Sequence, residues 1–201
     1  LGWSHGDQEI FSREQMIELF DIGNANRAPS RFDVEKLSWL NQQYIKNDDP
    51  LELVPHFVWQ LRAAGIDPEQ GPEPADVIVA LRERAQTLKE MAEKARVWYA
   101  PLDTYDETAV NKHLRSVTAI PALQAVHAQL VGTRDWSVEN VHAAIAAAAA
   151  AINEGMGKVA QPLRVAITGT QVSPSIDHTV FLAGRDEALR RVESAIKLAG
   201  A

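Results

Sequence analysis

The chain has 201 residues, of which 46% are hydrophobic and 23% charged, a composition typical of a folded globular protein. Its formal net charge of −7 argues against a broad, non-specific affinity for nucleic acid. It contains no cysteine, which excludes disulfides and thiolate metal ligands. Since no run of about 18 apolar residues and no secretory leader is recognisable, we expect a cytoplasmic protein without membrane contact.

Helix signals follow one another along the first half of the chain. Ser12 and Gln15 form a capping-box pattern ahead of an apolar stripe, and Asp33 precedes a second stripe as an N-cap. Pro50 suits the first position of a third helix that ends near Gly65.

A turn-rich segment, Asp67–Pro74, separates these helices from the next pair. We expect a helix from Ala75 that carries Arg82 and Arg84, followed by a second capping box at Thr87 that starts another helix.

The second half continues in the same way. Thr104 begins a third capping-box pattern, Pro121 is placed to open a helix, and Ser137 caps a helix that includes the alanine-rich range Ala143–Ala151. No segment alternates apolar and polar residues as a half-buried strand would. The sequence therefore predicts an all-α chain, a helical bundle.

The sequence supplies no active site. It has no Gly-x-Ser-x-Gly element, no phosphate-binding glycine-rich loop and no cysteine nucleophile. The six histidines are scattered, without a pair at metal-ligand spacing beside a carboxylate, and His178 is most simply a solvated loop residue. We therefore assign no catalytic residue and no metal ligand.

Three arginines are candidates for binding. Arg82 and Arg84 flank Glu83, and their spacing alone favours a solvated helix face with an internal ion pair over a binding surface. Arg164 lies in an apolar run. Its side chain either extends along the surface to reach water or directs its donors at an acceptor-rich partner such as a base edge.

The last helical signals enclose a polar loop. An apolar run stops at Gly169, and a new helix begins after Ser173 and Pro174. Backbone donors and small hydroxyls at a helix N-terminus suit a polar or anionic ligand. Alternatively, Ser173, Pro174 and Ile176 form only a helix cap and a hydrophobic staple.

Five blocks of the sequence together resemble bacterial glutamyl-tRNA synthetases, downstream of their KMSKS-type loop. The blocks are LGWSHGDQEIFS (1–12), RFDVEKLSWLNQQYI (31–45), LRERAQTLKEM (81–91), LRVAITG (163–169) and SPSI (173–176). They occur in the family's order and span essentially the whole chain.

The resemblance implies three parts: residues 1–50 as the end of a stem-contact region, 51–115 as a first anticodon-binding subdomain and 116–201 as a second. The family's Rossmann domain, with its HIGH-type and KMSKS-type motifs, has no counterpart here. The chain is thus expected to be an inactive fragment of a class I, ATP-dependent glutamate–tRNA ligase. It would be a monomer that binds tRNA(Glu). Glutamate, ATP and Mg would bind only through the catalytic domain, and this chain holds no cofactor.

The resemblance also implies anticodon-binding residues. In the family, an arginine of the first subdomain discriminates the third anticodon base, and here it corresponds to Arg84 or to Arg82, with Arg84 preferred. An arginine and a small-residue–proline loop of the second subdomain contact anticodon bases, which implies Arg164, Ser173, Pro174 and Ile176. An arginine in the 82–84 block favours an enzyme that discriminates glutamate tRNA from glutamine tRNA.

Two other functions remain open from the sequence. A helical protein–protein interaction module derived from a synthetase domain would bind a protein tightly and tRNA weakly. A self-contained helical enzyme would catalyse ATP–pyrophosphate exchange by itself, and the missing active-site residues argue against it.

Overall fold

The computed structural model describes residues 2–26 and 32–200, and helices dominate the second range. Neither range contains a strand beyond an isolated bridge between His5 and Gln8, so the all-α prediction is confirmed. None of the helices described is long and apolar enough to cross a membrane. The helices are α1 (Arg13–Leu19), α2 (Val34–Asn47), α3 (Pro50–Ala63), α4 (Pro74–Leu81), α5 (Leu88–Tyr99), α6 (Glu107–Ala109, continued by a π-helix over Val110–Leu114), α7 (Ala119–Gly132), α8 (Val138–Ala151), α9 (Met156–Thr168), α10 (Ile176–Ala183) and α11 (Arg185–Ala199).

Several helix starts are fixed by the caps that the sequence predicts. The Ser12 hydroxyl accepts from the backbone N–H of Gln15, whose side chain returns to the N–H of Ser12, so this capping box is complete. Asp33 and Ser137 cap α2 and α8 through one bond each, accepted from the N–H of the third helical residue, and Pro50 is the first residue of α3. Each cap satisfies a backbone donor that the helix itself leaves unpaired.

The predicted capping box at Thr104 is wrong. The cap of α6 is Asp106, whose carboxylate accepts from the N–H of Ala109 at 2.6 Å. The backbone N–H of Asp106 donates to the carbonyl of Gly169 at 2.8 Å. This tertiary bond holds the chain before Asp106 outside the helix and delays the helix start.

The prediction that Arg82 and Arg84 lie within a helix is also wrong. Helix α4 ends at Leu81, and the residues Arg82–Thr87, here called the connector, form a turn between α4 and α5. Ala85 of the connector is fully buried, and the Asn41 side chain donates to the carbonyl of Gln86 at 2.6 Å. These tertiary contacts take the backbone out of the helical path.

The first core lies between α3, α4 and α5, which pack on one another, with a contribution from α2. Its largest fully buried side chains belong to Phe57, Leu61, Ile78, Leu81 and Met91. Because these apolar residues recur at helical spacing, each helix buries one face and leaves the other to solvent.

The second core is formed by α7, α8, α9, α10 and α11, with α6 and its π-helical continuation at one edge. The alanine-rich helix α8 packs against α7, and Ala148 and Ile145 are fully buried there. Alanine is the best helix former, and its small side chain allows a close approach of α8 to α7.

The two cores meet at α5 and α10. Leu182 of α10 packs into the first core, and the indole N–H of Trp98 donates to the backbone carbonyl of Thr179 at 3.1 Å. Along the chain the cores divide between Tyr99 and Ala109, a few residues before the subdomain boundary at 115 that the resemblance implies.

Candidate nucleic-acid interface

A cavity of about 300 Å³, here called the junction cavity, opens where the two cores meet. One wall is the face of α5 with the end of α4 and the connector, and the other is the end of α9 with the loop 169–175. The lining residues are Leu81, Arg84, Lys94, Val97, Trp98, Thr168, Thr170, Val172, Ser173 and Pro174. The volume is at the lower end of the range of roughly 300–1,000 Å³ for small-ligand sites.

The structure distinguishes the two arginines of the connector. Arg84 lines the junction cavity, whereas Arg82 does not. Glu83 forms its ion pair with Lys46 of α2 at 2.8 Å, so the expected pairing of Glu83 with its neighbouring arginines is replaced by a tertiary contact. Of the two alternatives from the sequence, Arg84 is therefore the one placed to meet a ligand in the cavity.

Arg164 lies behind the loop and does not line the cavity. Its Nη1 donates to the hydroxyl of Ser173 at 2.5 Å, to the carbonyl of Ser173 at 3.2 Å and to the carbonyl of Pro174 at 2.7 Å. Burial lowers the pKa of the Arg164 guanidinium, and the positive charge of Arg84 lowers it further. In this arrangement Arg164 shapes the loop, and a base contact by Arg164 stays a prediction.

The loop is held in one conformation at both of its ends. Gly169 has φ +71°, and a Cβ there would lie 2.6 Å from the carbonyl oxygen of Thr104, so only glycine fits. At the other end the hydroxyl of Ser173 lies 2.8 Å from that of the buried Thr179. Ser173 and Pro174 are thereby fixed as part of the cavity wall.

Ile176 occupies a different environment from its two predicted partners. It is the first residue of α10, is 8% exposed and packs into the second core. The structure brings Arg84, Ser173 and Pro174 together at the cavity, whereas Ile176 supports the loop from the core side. A direct contact of Ile176 with a base stays a prediction.

Sequence reasoning missed several residues of the cavity. Lys94 and Trp98 lie one turn apart on α5, and the hydroxyls of Thr168 and Thr170 are contributed by the end of α9 and the start of the loop. The Glu90–Lys94 spacing was a visible signal of an ion pair within a helix, which alone indicates only helix support. Only the packing of α5 against the loop reveals that Lys94 faces a cavity.

The lining combines three chemical characters. Arg84 and Lys94 contribute positive charge, the threonine and serine hydroxyls can donate and accept hydrogen bonds, and Val97, Trp98 and Pro174 are apolar. No acidic residue belongs to the lining. A flat, polar ligand attached to an anionic backbone, such as an unstacked nucleotide, matches this combination.

A larger cavity of about 750 Å³ also lies between the cores. Its lining includes the carboxylates of Glu73, Asp76 and Glu187 together with Arg190 and Arg191. The cavity therefore carries a slight negative charge, because its three carboxylates outnumber the two arginines by one. It is poorly suited to a phosphate-bearing ligand in spite of its size.

The comparisons with known proteins identify the family and the fold. The sequence model of the family described as anticodon binding domain matches residues 41–196. That range includes α3 to α10 in full, and hence both walls of the junction cavity.

Individual relatives match over essentially the whole chain. The glutamate–tRNA ligase of Xanthomonas campestris pv. campestris (strain B100) is 59% identical over 201 residues, which are 100% of this chain and 43% of that protein. The glutamate–tRNA ligase of Stenotrophomonas maltophilia (strain R551-3) is 57% identical over 196 residues, 98% of this chain and 42% of that protein. The chain thus spans less than half the length of these curated relatives.

A solved structure shows the same fold. The crystal structure of a glutamate tRNA ligase from Elizabethkingia meningosepticum, in complex with its amino acid, superposes with a TM-score of 0.83 at 28% identity. The superposition covers 98% of this chain and 39% of that one.

Proposed function

The chain belongs to the anticodon-binding domain family, and from this membership we propose that it binds the anticodon of tRNA(Glu) at the junction cavity. The observation that carries the proposal is the cavity itself, where Arg84 and Lys94 lie opposite the hydroxyl-rich loop around Ser173. Anticodon bases are single-stranded, so they are read by stacking and by hydrogen bonds to base edges, not by a broad basic surface. A chain of net negative charge that carries a few arginine and lysine side chains at defined positions suits this mode of recognition.

The residues of the junction cavity and of its supporting loop have different roles in the proposed binding. Arg84, in the lining of the cavity, supplies guanidinium donors for a base edge or a phosphate. Trp98 and Pro174 supply apolar surface for a base, and the hydroxyl oxygens of Thr170 and Ser173 supply acceptors. Arg164 acts indirectly, because it fixes the carbonyls of Ser173 and Pro174.

In the whole protein, anticodon binding would serve the attachment of glutamate to tRNA(Glu). The curated relatives are glutamate–tRNA ligases of more than twice this length. ATP and Mg would bind in a catalytic domain, and the 201 residues carry neither a HIGH-type nor a KMSKS-type motif. This chain alone is expected to bind RNA as a monomer without aminoacylating it.

Binding of an RNA stem-loop with the glutamate anticodon tests the proposal. Arg84→Ala should weaken binding by roughly tenfold, because a good base contact contributes about 1–3 kcal/mol. Fluorescence anisotropy of a labelled stem-loop measures the Kd. Arg115→Ala is the matched control, since Arg115 is exposed, carries the same charge and does not line the cavity.

Equal weakening by both variants would indicate general charge attraction and contradict binding at this cavity. No detectable binding by the wild-type chain at micromolar concentration would contradict the proposal as a whole. That result would favour a protein–protein interaction module.

A further inference from the structure

The connector that carries Arg84 has no regular secondary structure, yet its backbone is bound on two sides. Ala85 anchors it in the first core, and the N–H of Arg84 donates to the carbonyl of Leu81 at 2.8 Å. The carbonyl of Arg84 and both backbone groups of Gln86 bind side chains of α5 and α2. This arrangement is unusual for an exposed turn, where water commonly satisfies such groups.

Helix α5 binds the connector through an ion pair. One carboxylate oxygen of Glu90 accepts from the N–H of Gln86 at 2.8 Å, and the other pairs with Nζ of Lys94 at 2.6 Å. Lys94 also donates to the carbonyl of Arg84. The capping box expected at Thr87 is therefore only half formed: Thr87 accepts from the N–H of Glu90, but the Glu90 carboxylate accepts from the N–H of Gln86 instead of the N–H of Thr87.

Helix α2 binds the connector from the opposite side. The Asn41 amide donates to the carbonyl of Gln86 at 2.6 Å, and Lys46 pairs with Glu83 at 2.8 Å. Both backbone groups of Gln86 are thus held, the N–H by α5 and the C=O by α2. The position of Arg84, two residues earlier, follows from these bonds.

We propose that Glu90, Lys94 and Asn41 are positioning residues that fix the connector and thereby hold Arg84 at the junction cavity. Glu90 and Asn41 do not line the cavity, so any effect that they have on a ligand passes through the connector. An isolated surface ion pair contributes little, and Glu90 and Lys94 are each about 40% exposed. Their importance comes from the backbone groups that they bind. The expected effect on RNA binding rests on the proposed function.

A double-mutant cycle tests the proposal in the full chain. Glu90→Ala should weaken binding of the anticodon stem-loop by roughly three- to tenfold when Arg84 is present, and by less than about twofold when Arg84 is already alanine. Removal of a carboxylate would by simple charge attraction strengthen RNA binding. A weakening that depends on Arg84 therefore identifies positioning, and equal effects in both backgrounds would overturn it.

Glu93→Ala is the matched control, because Glu93 lies on the same helix and pairs with Arg96 instead of the connector. Its affinity should equal or slightly exceed that of the wild-type chain. If Glu90→Ala reduces the helical signal in circular dichroism, the same binding test is made with Asn41→Ala, because that substitution leaves the side chains of α5 unchanged. The control for that variant is Asn47→Ala, since the Asn47 amide donates to the carbonyl of Gln43 within α2 and not to the connector.

Amide hydrogen exchange gives a second readout that needs no RNA. Glu90→Ala should accelerate exchange at Gln86 and leave buried amides in the interior of α5, such as that of Ala95, unchanged. Unchanged exchange at Gln86 would overturn the positioning role. If the wild-type chain fails to bind RNA but Glu90→Ala accelerates exchange at Gln86, only the proposed function is contradicted.

Discussion

At the scale of single residues, Arg84 and Arg164 differ in what their guanidinium groups contact. Arg164 directs Nη1 at the Ser173 hydroxyl and at the carbonyls of Ser173 and Pro174. Arg84 lines the cavity, and within the described part of the chain its side chain forms no hydrogen bond or ion pair. A donor that is already bound to its own protein is costly to redirect, so Arg84 is better placed to contact a ligand.

The prediction at this scale concerns discrimination between anticodon bases. In a full-length ligase that contains this chain, Arg84→Gln should reduce the preference for an anticodon ending in C over one ending in G by roughly tenfold, because the charged fork of donors is lost. The ratio of kcat/KM for the two tRNAs measures this preference. Arg82→Gln is the control, and a larger effect of Arg82→Gln would assign the reading to that residue instead.

Part of this site was predictable from the sequence and part was not. The resemblance led to Arg84, Ser173 and Pro174, which the structure brings to one cavity. The choice between Arg82 and Arg84 could not be made from spacing, because it depends on where α4 ends. Lys94 was missed since its nearest sequence signal, the spacing to Glu90, is typical of any stable helix.

At the scale of elements, helix caps could be predicted from the sequence, whereas helix ends that depend on tertiary contacts could not. Ser12, Asp33 and Ser137 act within three residues of themselves, so the sequence pattern contains the whole interaction. The end of α4 depends on Asn41, which lies 45 residues before its partner Gln86. No local pattern contains such a contact.

The alanine-rich helix α8 gives a prediction about packing. Ala148 is fully buried against the second core, whereas Ala150 on the same helix is exposed. Ala148→Leu should lower the free energy of unfolding by about 1–3 kcal/mol, because a larger side chain forces α8 away from its neighbours. Ala150→Leu should change it by less than about 0.5 kcal/mol. Urea denaturation measures both, and similar losses in the two variants would contradict close packing at Ala148.

At the scale of the whole molecule, Arg191 connects the two cores. It is 2% exposed and donates to the carbonyls of Ile167 at 2.7 Å and Ala100 at 3.2 Å, and so joins α11 to α9 and to the end of α5. Glu187 balances its charge at 2.6 Å. Because the junction cavity lies between the same two cores, the bonds of the buried Arg191 help to hold the cavity walls in place relative to each other.

Glu187 makes this connection sensitive to acid. Hydrogen bonds from Arg190 and then Arg191 lower the pKa of Glu187 to about 2, below the ordinary glutamate pKa of about 4.3. A carboxylate with a lowered pKa stabilises the folded state fully above its ordinary pKa, and this contribution is lost as the pH falls towards the folded value.

We therefore expect Glu187→Gln to lower the melting temperature at pH 7 and to differ progressively less from the wild-type chain as the pH falls from about 5 to about 2. Thermal melting followed by circular dichroism at a series of pH values measures the difference. Asp186→Asn is the control, since Asp186 is the exposed neighbour of Glu187 and makes no ion pair in the described part of the chain. A difference between Glu187→Gln and the wild-type chain that stays constant with pH would show that the Glu187 charge does not stabilise the junction. The variant's loss would then come from altered packing around Arg191.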